Sequence, residues 1–303
     1  MRPARILCNR WMEYTNIGNG FICESELRLI KSVAPNADIV QLPINDLWLP
    51  EILGRRTDNV FELWEKHSPD LIIFSGMVNG LLVNTLIDRG YDVLLNGYGF
   101  GREVGMNCSN LVYSIARGPR TFQLSSSDND NIYCGIDVAW FLRDYIDVDL
   151  SEEYDIVCLD NDGSVIGKDK YIDRDNYVTS SHSPYVDFIP SRCYWTPTFI
   201  SDRWQDYIDL YSRARRVLTD RVHCALICLL LGKEVKFIGN TFRDEVFYAA
   251  GVRIDKFRSG YIKLDRANLE MLEDSKKSHK EMLSTAIRKW ANSKDLEIGA
   301  TYT

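Results

Sequence analysis

The stretch Arg215-Arg216-Val217-Leu218-Thr219-Asp220-Arg221-Val222-His223-Cys224 runs from an apolar strand through a polar turn directly into an apolar helix. Val217-Leu218-Thr219 has the branched side chains of a buried strand. Arg221–Leu231 is apolar on nearly every side, as a buried helix is, and Gly232 follows it as a C′ glycine should. A strand passing by a tight turn into a helix is the repeating unit of α/β folds. The same geometry makes a chemical site. Backbone N–H groups at a helix N-terminus attract anions, and Thr219 or Asp220 can cap that end. Arg221 supplies a forked cation suited to carboxylate or phosphate. His223 supplies a proton donor that titrates near neutral pH. Together they describe a pocket for a small, multiply charged anion at the sheet edge where open α/β sheets bind ligands. A capping Asp220, a surface-paired Arg221 and a packed His223 would be the ordinary alternative, but all of them at one junction favour the pocket.

Further alternation of strand and helix lies on both sides. Apolar runs at Ile6–Asn9, Asp38–Leu42, Asp70–Phe74, Val93–Leu95 and Leu111–Ile115 read as strands of a first half, with helical spacing over Phe21–Val33, Leu47–Lys66 and Leu81–Arg89. The second half offers strands at Ile156–Leu159, Val186–Ile189 and Val235–Ile238. Its helices are expected over Trp204–Arg215, Thr241–Ala250 and Leu264–Trp290. The acidic stretch Asp144–Asp155 between the halves reads as a linker. The expected organisation is a Rossmann-like domain over 1–150, a second over 151–290 and a frayed tail over 291–303. A chain of 303 residues fits two domains of about 150.

With 36 Lys plus Arg against 43 Asp plus Glu, the net charge of −7 argues against a broad nucleic-acid surface. The longest apolar run, Cys224–Leu231, falls far short of the about 20 residues of a membrane span, and Ile6-Leu7-Cys8 is no signal-peptide core. The expectation is a cytoplasmic protein without stable membrane insertion.

The eight cysteines show no paired metal spacing and read as buried reduced thiols, with no metal expected. Asp160-Asn161-Asp162-Gly163 lacks the spacing of a calcium loop and reads as a turn. Gly97, Gly99 and Gly101 lack the dinucleotide fingerprint and read as a turn lining a cleft. His182, in polar company, reads equally as a cleft-lining side chain or a solvated loop residue. His67 and His279, among charged neighbours, read as surface. Tyr194, Trp195 and Trp204 could stack on sugar faces, although core packing accounts for most aromatic residues equally well.

Thr219-Asp220-Arg221-Val222-His223, followed by Ala225-Leu226-Ile227 and Leu230-Leu231-Gly232-Lys233, resembles the turn and helix of the polysaccharide pyruvyl transferase family. Shorter echoes are Asn16-Ile17-Gly18-Asn19, the strand Asp70–Phe74 ending at Ser75-Gly76, Arg117-Gly118-Pro119-Arg120-Thr121, and Gly135–Leu142. The resemblance implies two Rossmann-like domains facing across a cleft, a GT-B-like arrangement. It implies phosphoenolpyruvate as donor and a sugar or lipid-linked glycan as acceptor, joined as a cyclic ketal, with no cofactor. Arg221 and His223 would be catalytic, His223 as acid or phosphate ligand. Thr219, Asp220, Val222, Arg117, Asn16, Gly18, Asn19, Gly76 and His182 would bind substrate, Arg117 reaching from the first domain. Asn19 and Gly118 stand where the family pattern has an acid, on what is expected to be the acceptor side. The other readings are a GT-B-like glycosyltransferase using a nucleotide sugar and an inactive carbohydrate-binding relative.

Overall fold

The computed structural model describes residues 1–10, 16–43, 64–78, 80–100, 111–125, 131–159, 169, 171–173, 175–182, 198–239 and 242–299. The expected strand at Val186–Ile189, the turn at Asp160–Gly163, Gly101, Tyr194, Trp195 and most of the expected helix over Leu47–Lys66 lie outside them.

In chain order the strands are β1 (Arg2–Pro3), β2 (Arg5–Arg10), β3 (Asp38–Pro43), β4 (Leu71–Val78), β5 (Val93–Phe100), β6 (Tyr113–Ala116) and β7 (Ile132–Cys134), then β8 (Tyr154–Cys158), β9 (Tyr177–Ser180), β10 (Ala214–Thr219), β11 (Glu234–Phe237) and β12 (Leu296–Glu297). The α-helices are α1 (Gly18–Val33), α2 (Gly80–Asp88), α3 (Pro119–Ser125), α4 (Trp204–Ser212), α5 (Val222–Leu230), α6 (Ile254–Ser259) and α7 (Arg266–Ser293). Two 3-10 segments, Val138–Asp144 and Phe242–Ala250, are also among the described residues, the second where a helix is expected.

The chain divides into two compact units. The first holds residues 1–12, 22–138 and 274–303, the second 13–21 and 139–273. The acidic stretch read as a linker therefore lies within the second unit.

The first unit is built on a six-stranded sheet in the order β3-β2-β4-β5-β6-β7, parallel throughout. Strands covered on both faces read as continuous apolar runs, and Leu71, Ile72, Ile73 and Phe74 are all buried. The glycines at 97 and 99 do not form a turn. They lie within β5, whose pairing shifts register between Asn96 and Tyr98. A Cβ at Gly97, where φ is +62°, would fall 2.6 Å from the carbonyl oxygen of Ile136, and one at Gly99 would meet the Arg117 guanidinium. These glycines admit neighbours to the strand. His279 of α7 is fully buried rather than on the surface. Its Nδ1 accepts a hydrogen bond from the Ile136 N–H at 3.1 Å, so the proton sits on Nε2, which donates to Asn96 Oδ1 at 2.8 Å. Within the expected frayed tail, the described residues 291–299 are packed: β12 pairs in parallel with β1, and Leu296 and Ile298 are buried.

The second unit carries a four-stranded parallel sheet in the order β11-β10-β8-β9. Thr219, the last residue of β10, faces Cys158 of β8 on one side and Phe237 of β11 on the other. Val157, Leu159, Ile172 and Leu218 form a buried core cluster of this unit. Strand β9 escaped the sequence reading because Tyr-Val-Thr-Ser is short and sits at the sheet edge. Helix α5 is buried around its circumference from Cys224 to Leu229, and Gly232 after it has φ +68°, the left-handed geometry of a C′ glycine.

Candidate functional site

The turn between β10 and α5 is built around Thr219. Its hydroxyl donates to the Cys158 carbonyl at 2.7 Å and accepts the Arg221 N–H at 2.9 Å. Thr219 is fully buried, and its hydroxyl shapes the turn. Arg221 is the N-cap residue, with extended backbone and no side-chain cap hydrogen bond. No acidic residue lies in the first turn of α5, so no carboxylate of that turn offsets the positive end of its dipole. Asp220, Arg221 and His223 are partly exposed and Val222 is buried.

A second helix begins at the same place. Asn16 Oδ1 accepts the Gly18 N–H at 3.0 Å, and the Asn16 carbonyl accepts the Asn19 N–H at 2.9 Å, opening α1. A Cβ on Gly18 would lie 2.7 Å from His223 Nδ1, closer than real Cβ contacts come. Only glycine lets the start of α1 approach the imidazole this closely. Helix α1 also has no acid in its first turn. Two helix N-termini thus meet at His223, with Arg221 on the adjoining turn. This corrects the reading of Asn16, Gly18 and Asn19 as first-domain residues: they belong with the second unit, which also holds the turn between β10 and α5.

His182 lies beneath this site. Its backbone carbonyl accepts the Ile17 N–H at 2.9 Å, which ties the Asn16–Asn19 loop to the second unit. Its ring is 1% exposed, Nε2 lies 2.5 Å from the Tyr211 hydroxyl, and Phe21 and Tyr207 pack edge-on to it. Neither a solvated loop histidine nor one lining a cleft fits such burial. Desolvation, and after it the charges of Arg221 and His223, push its pKa well below the ordinary histidine value.

Gly76 and Arg117 fall in the first unit. Gly76, at φ +76°, sits at an irregularity in the β4–β5 pairing. Arg117 is 1% exposed, with Nη1 3.9 Å from the buried carboxylate of Asp137 and Nη2 3.9 Å from Met77 Sδ. Its guanidinium is laid against Gly99. A carboxylate therefore does face Arg117, from Asp137 rather than from position 118. The sequence reading also missed a cluster of Cys158, His182 and Cys224. No local spacing reveals it, because its members come from three distant segments. Among the described cysteines Cys134 is exposed, against the expectation of burial.

The polysaccharide pyruvyl transferase family model matches residues 16–241, most of the chain, and includes both helix starts and the Arg221–His223 turn. The chain belongs to the polysaccharide pyruvyl transferase family. No curated protein matches it. Among solved structures, S. aureus MnaA in complex with UDP is similar at 11% identity and TM-score 0.55, covering 93% of this chain and 91% of that one. A putative UDP-N-acetylglucosamine 2-epimerase from Listeria monocytogenes is similar at 10% identity and TM-score 0.52, covering 99% and 100%. The UDP-GlcNAc 2-epimerase of Neisseria meningitidis, bound to UDP-GlcNAc, follows at 11% and 0.51, covering 92% and 94%. At these identities the likeness concerns the fold, which is α/β with parallel sheets and GT-B-like. Among the described residues no helix is long and apolar enough to cross a membrane.

Proposed function

We propose that this family member moves the pyruvyl group of phosphoenolpyruvate onto two neighbouring hydroxyls of a sugar in a polysaccharide or glycan precursor, giving a cyclic ketal and phosphate. The observation that carries the reading is the contact of Gly18 with His223, where two helix N-termini without first-turn acids meet beside Arg221. Such a place suits a ligand bearing carboxylate and phosphate together.

In this reading Arg221 and the backbone N–H groups of the α5 first turn hold the donor's anionic groups. His223 delivers a proton to the donor methylene, and positive charge develops at the central carbon. One sugar hydroxyl adds there and its proton returns to the imidazole. The second hydroxyl adds as the carbon–oxygen bond to phosphate breaks, and its proton leaves with phosphate. Preorganised cations and N–H dipoles lower the cost of the charge that moves, and a positioned acid supplies the first step. Asn19 then has a use: an amide in place of an acid keeps negative charge away from the donor.

Phosphate release from phosphoenolpyruvate, assayed over a panel of free and lipid-linked sugars, tests the reading. Turnover with at least one acceptor is the expected result. Binding of a uridine diphosphate sugar with no binding of phosphoenolpyruvate would replace it by the glycosyltransferase reading.

A further inference from the structure

Below the α5 N-terminus, four elements of the second unit converge on one fully buried point. Cys158 comes from the end of β8, His182 from the segment after β9, Tyr211 from α4 and Cys224 from the first turn of α5. One donor atom of each of Cys158, His182 and Cys224 lies within 4.8 Å of the others. The Tyr211 hydroxyl is 2.5 Å from His182 Nε2 and 3.8 Å from Cys158 Sγ. We propose that Cys158, His182 and Cys224, with Tyr211 beside them as a fourth donor, form a structural site for a thiophilic divalent cation of the zinc class.

Chemistry selects that class. Calcium and magnesium take oxygen ligands, whereas two sulfurs and an imidazole suit zinc. With zinc–sulfur bonds of about 2.3 Å and tetrahedral angles, the two sulfurs would stand about 3.8 Å apart. Donors already within 4.8 Å need to close by only about 1 Å to reach that spacing. Binding takes the cation from solution and releases the two thiol protons to solvent, while neutral His182 contributes a lone pair. Two thiolates cancel the charge of the ion, so the bound group is neutral overall, as full burial requires. A bound ion would clamp β8, α4 and α5 together under the anion site, independently of what that site binds.

The test uses the full chain, purified with a non-thiol reductant and no chelator, titrated with cobalt(II) as the spectroscopic probe and then with zinc. The expected result is a 1:1 complex with a strong thiolate-to-cobalt charge-transfer band and the visible bands of tetrahedral cobalt, all abolished by zinc. Cys158→Ser or Cys224→Ser should lose the band while Cys134→Ser keeps it. A folded wild-type protein that develops no charge-transfer band overturns the proposal, and this result needs no variant to fold. So does a band that survives in the Cys158→Ser, Cys224→Ser double variant. In either case the four groups are a hydrogen-bonded cluster centred on the Tyr211 hydroxyl.

Discussion

Gly18 decides more than its size suggests. Its missing side chain lets the α1 N-terminus touch the His223 ring at a place where a methyl group would stand 2.7 Å from Nδ1. Gly18→Ala must push the imidazole or the loop aside. The expected outcome is at least a 10-fold loss of phosphoenolpyruvate affinity with the circular dichroism spectrum unchanged. Retained affinity would mean that the contact is packing alone. His223 carries a separate prediction. His223→Gln keeps a hydrogen-bond donor of similar reach but delivers no proton at neutral pH. Turnover should fall roughly 10²–10⁴-fold, the usual worth of a positioned acid, with donor affinity changed far less. Equal losses in binding and turnover would make His223 a ligand for phosphate instead. The residue scale was partly legible beforehand. Arg221 and His223 stand in one contiguous run, so their meeting is local. The nearness of Gly18 to His223 joins residues more than 200 positions apart, and only the fold reveals it.

Helix α7 makes the corresponding point for elements. Its charged sequence placed His279 on the surface, yet Leu272, His279, Leu283, Ile287 and Trp290 recur along one buried face. Flanking lysines hid that face. The cost of burying the imidazole has a sign that can be worked out. Burial lowers the His279 pKa from 6.5 to about 4, a shift the Asp137 charge only partly opposes. Between those values the unfolded chain takes up a proton that the native protein does not, so stability falls as pH drops from about 6.5 towards 4, by about 3 kcal/mol in all. Above pH 6.5 this contribution is constant. Unfolding free energies measured at pH 7 and pH 4.5 should therefore differ less in His279→Gln than in the wild type; an unchanged difference would contradict the assignment. At the chain's end, Leu296→Ala should cost about 2–3 kcal/mol, since β12 pairs with β1 and Leu296 is buried. No loss of melting temperature would return those residues to the frayed tail that the sequence suggested.

For the molecule as a whole, alternation of apolar strands with helices was enough to read an α/β chain with two halves, because covered parallel strands advertise themselves as apolar runs. Harder to read was which unit each short segment joins. Residues 13–21 precede nearly all of the first unit, yet belong with the second. That assignment places Asn16, Gly18 and Asn19 with Arg221 and His223 rather than on a separate acceptor side. In the proposed function this one unit holds a carboxylate-and-phosphate donor through Arg221. Calorimetric titration of phosphoenolpyruvate into the wild type and into Arg221→Ala puts that to the test. Truncating a forked cation at a desolvated anion site costs about 2–5 kcal/mol, so saturable binding is expected for the wild type and none detectable for the variant, with both proteins folded. Equal affinity in the two proteins would contradict it.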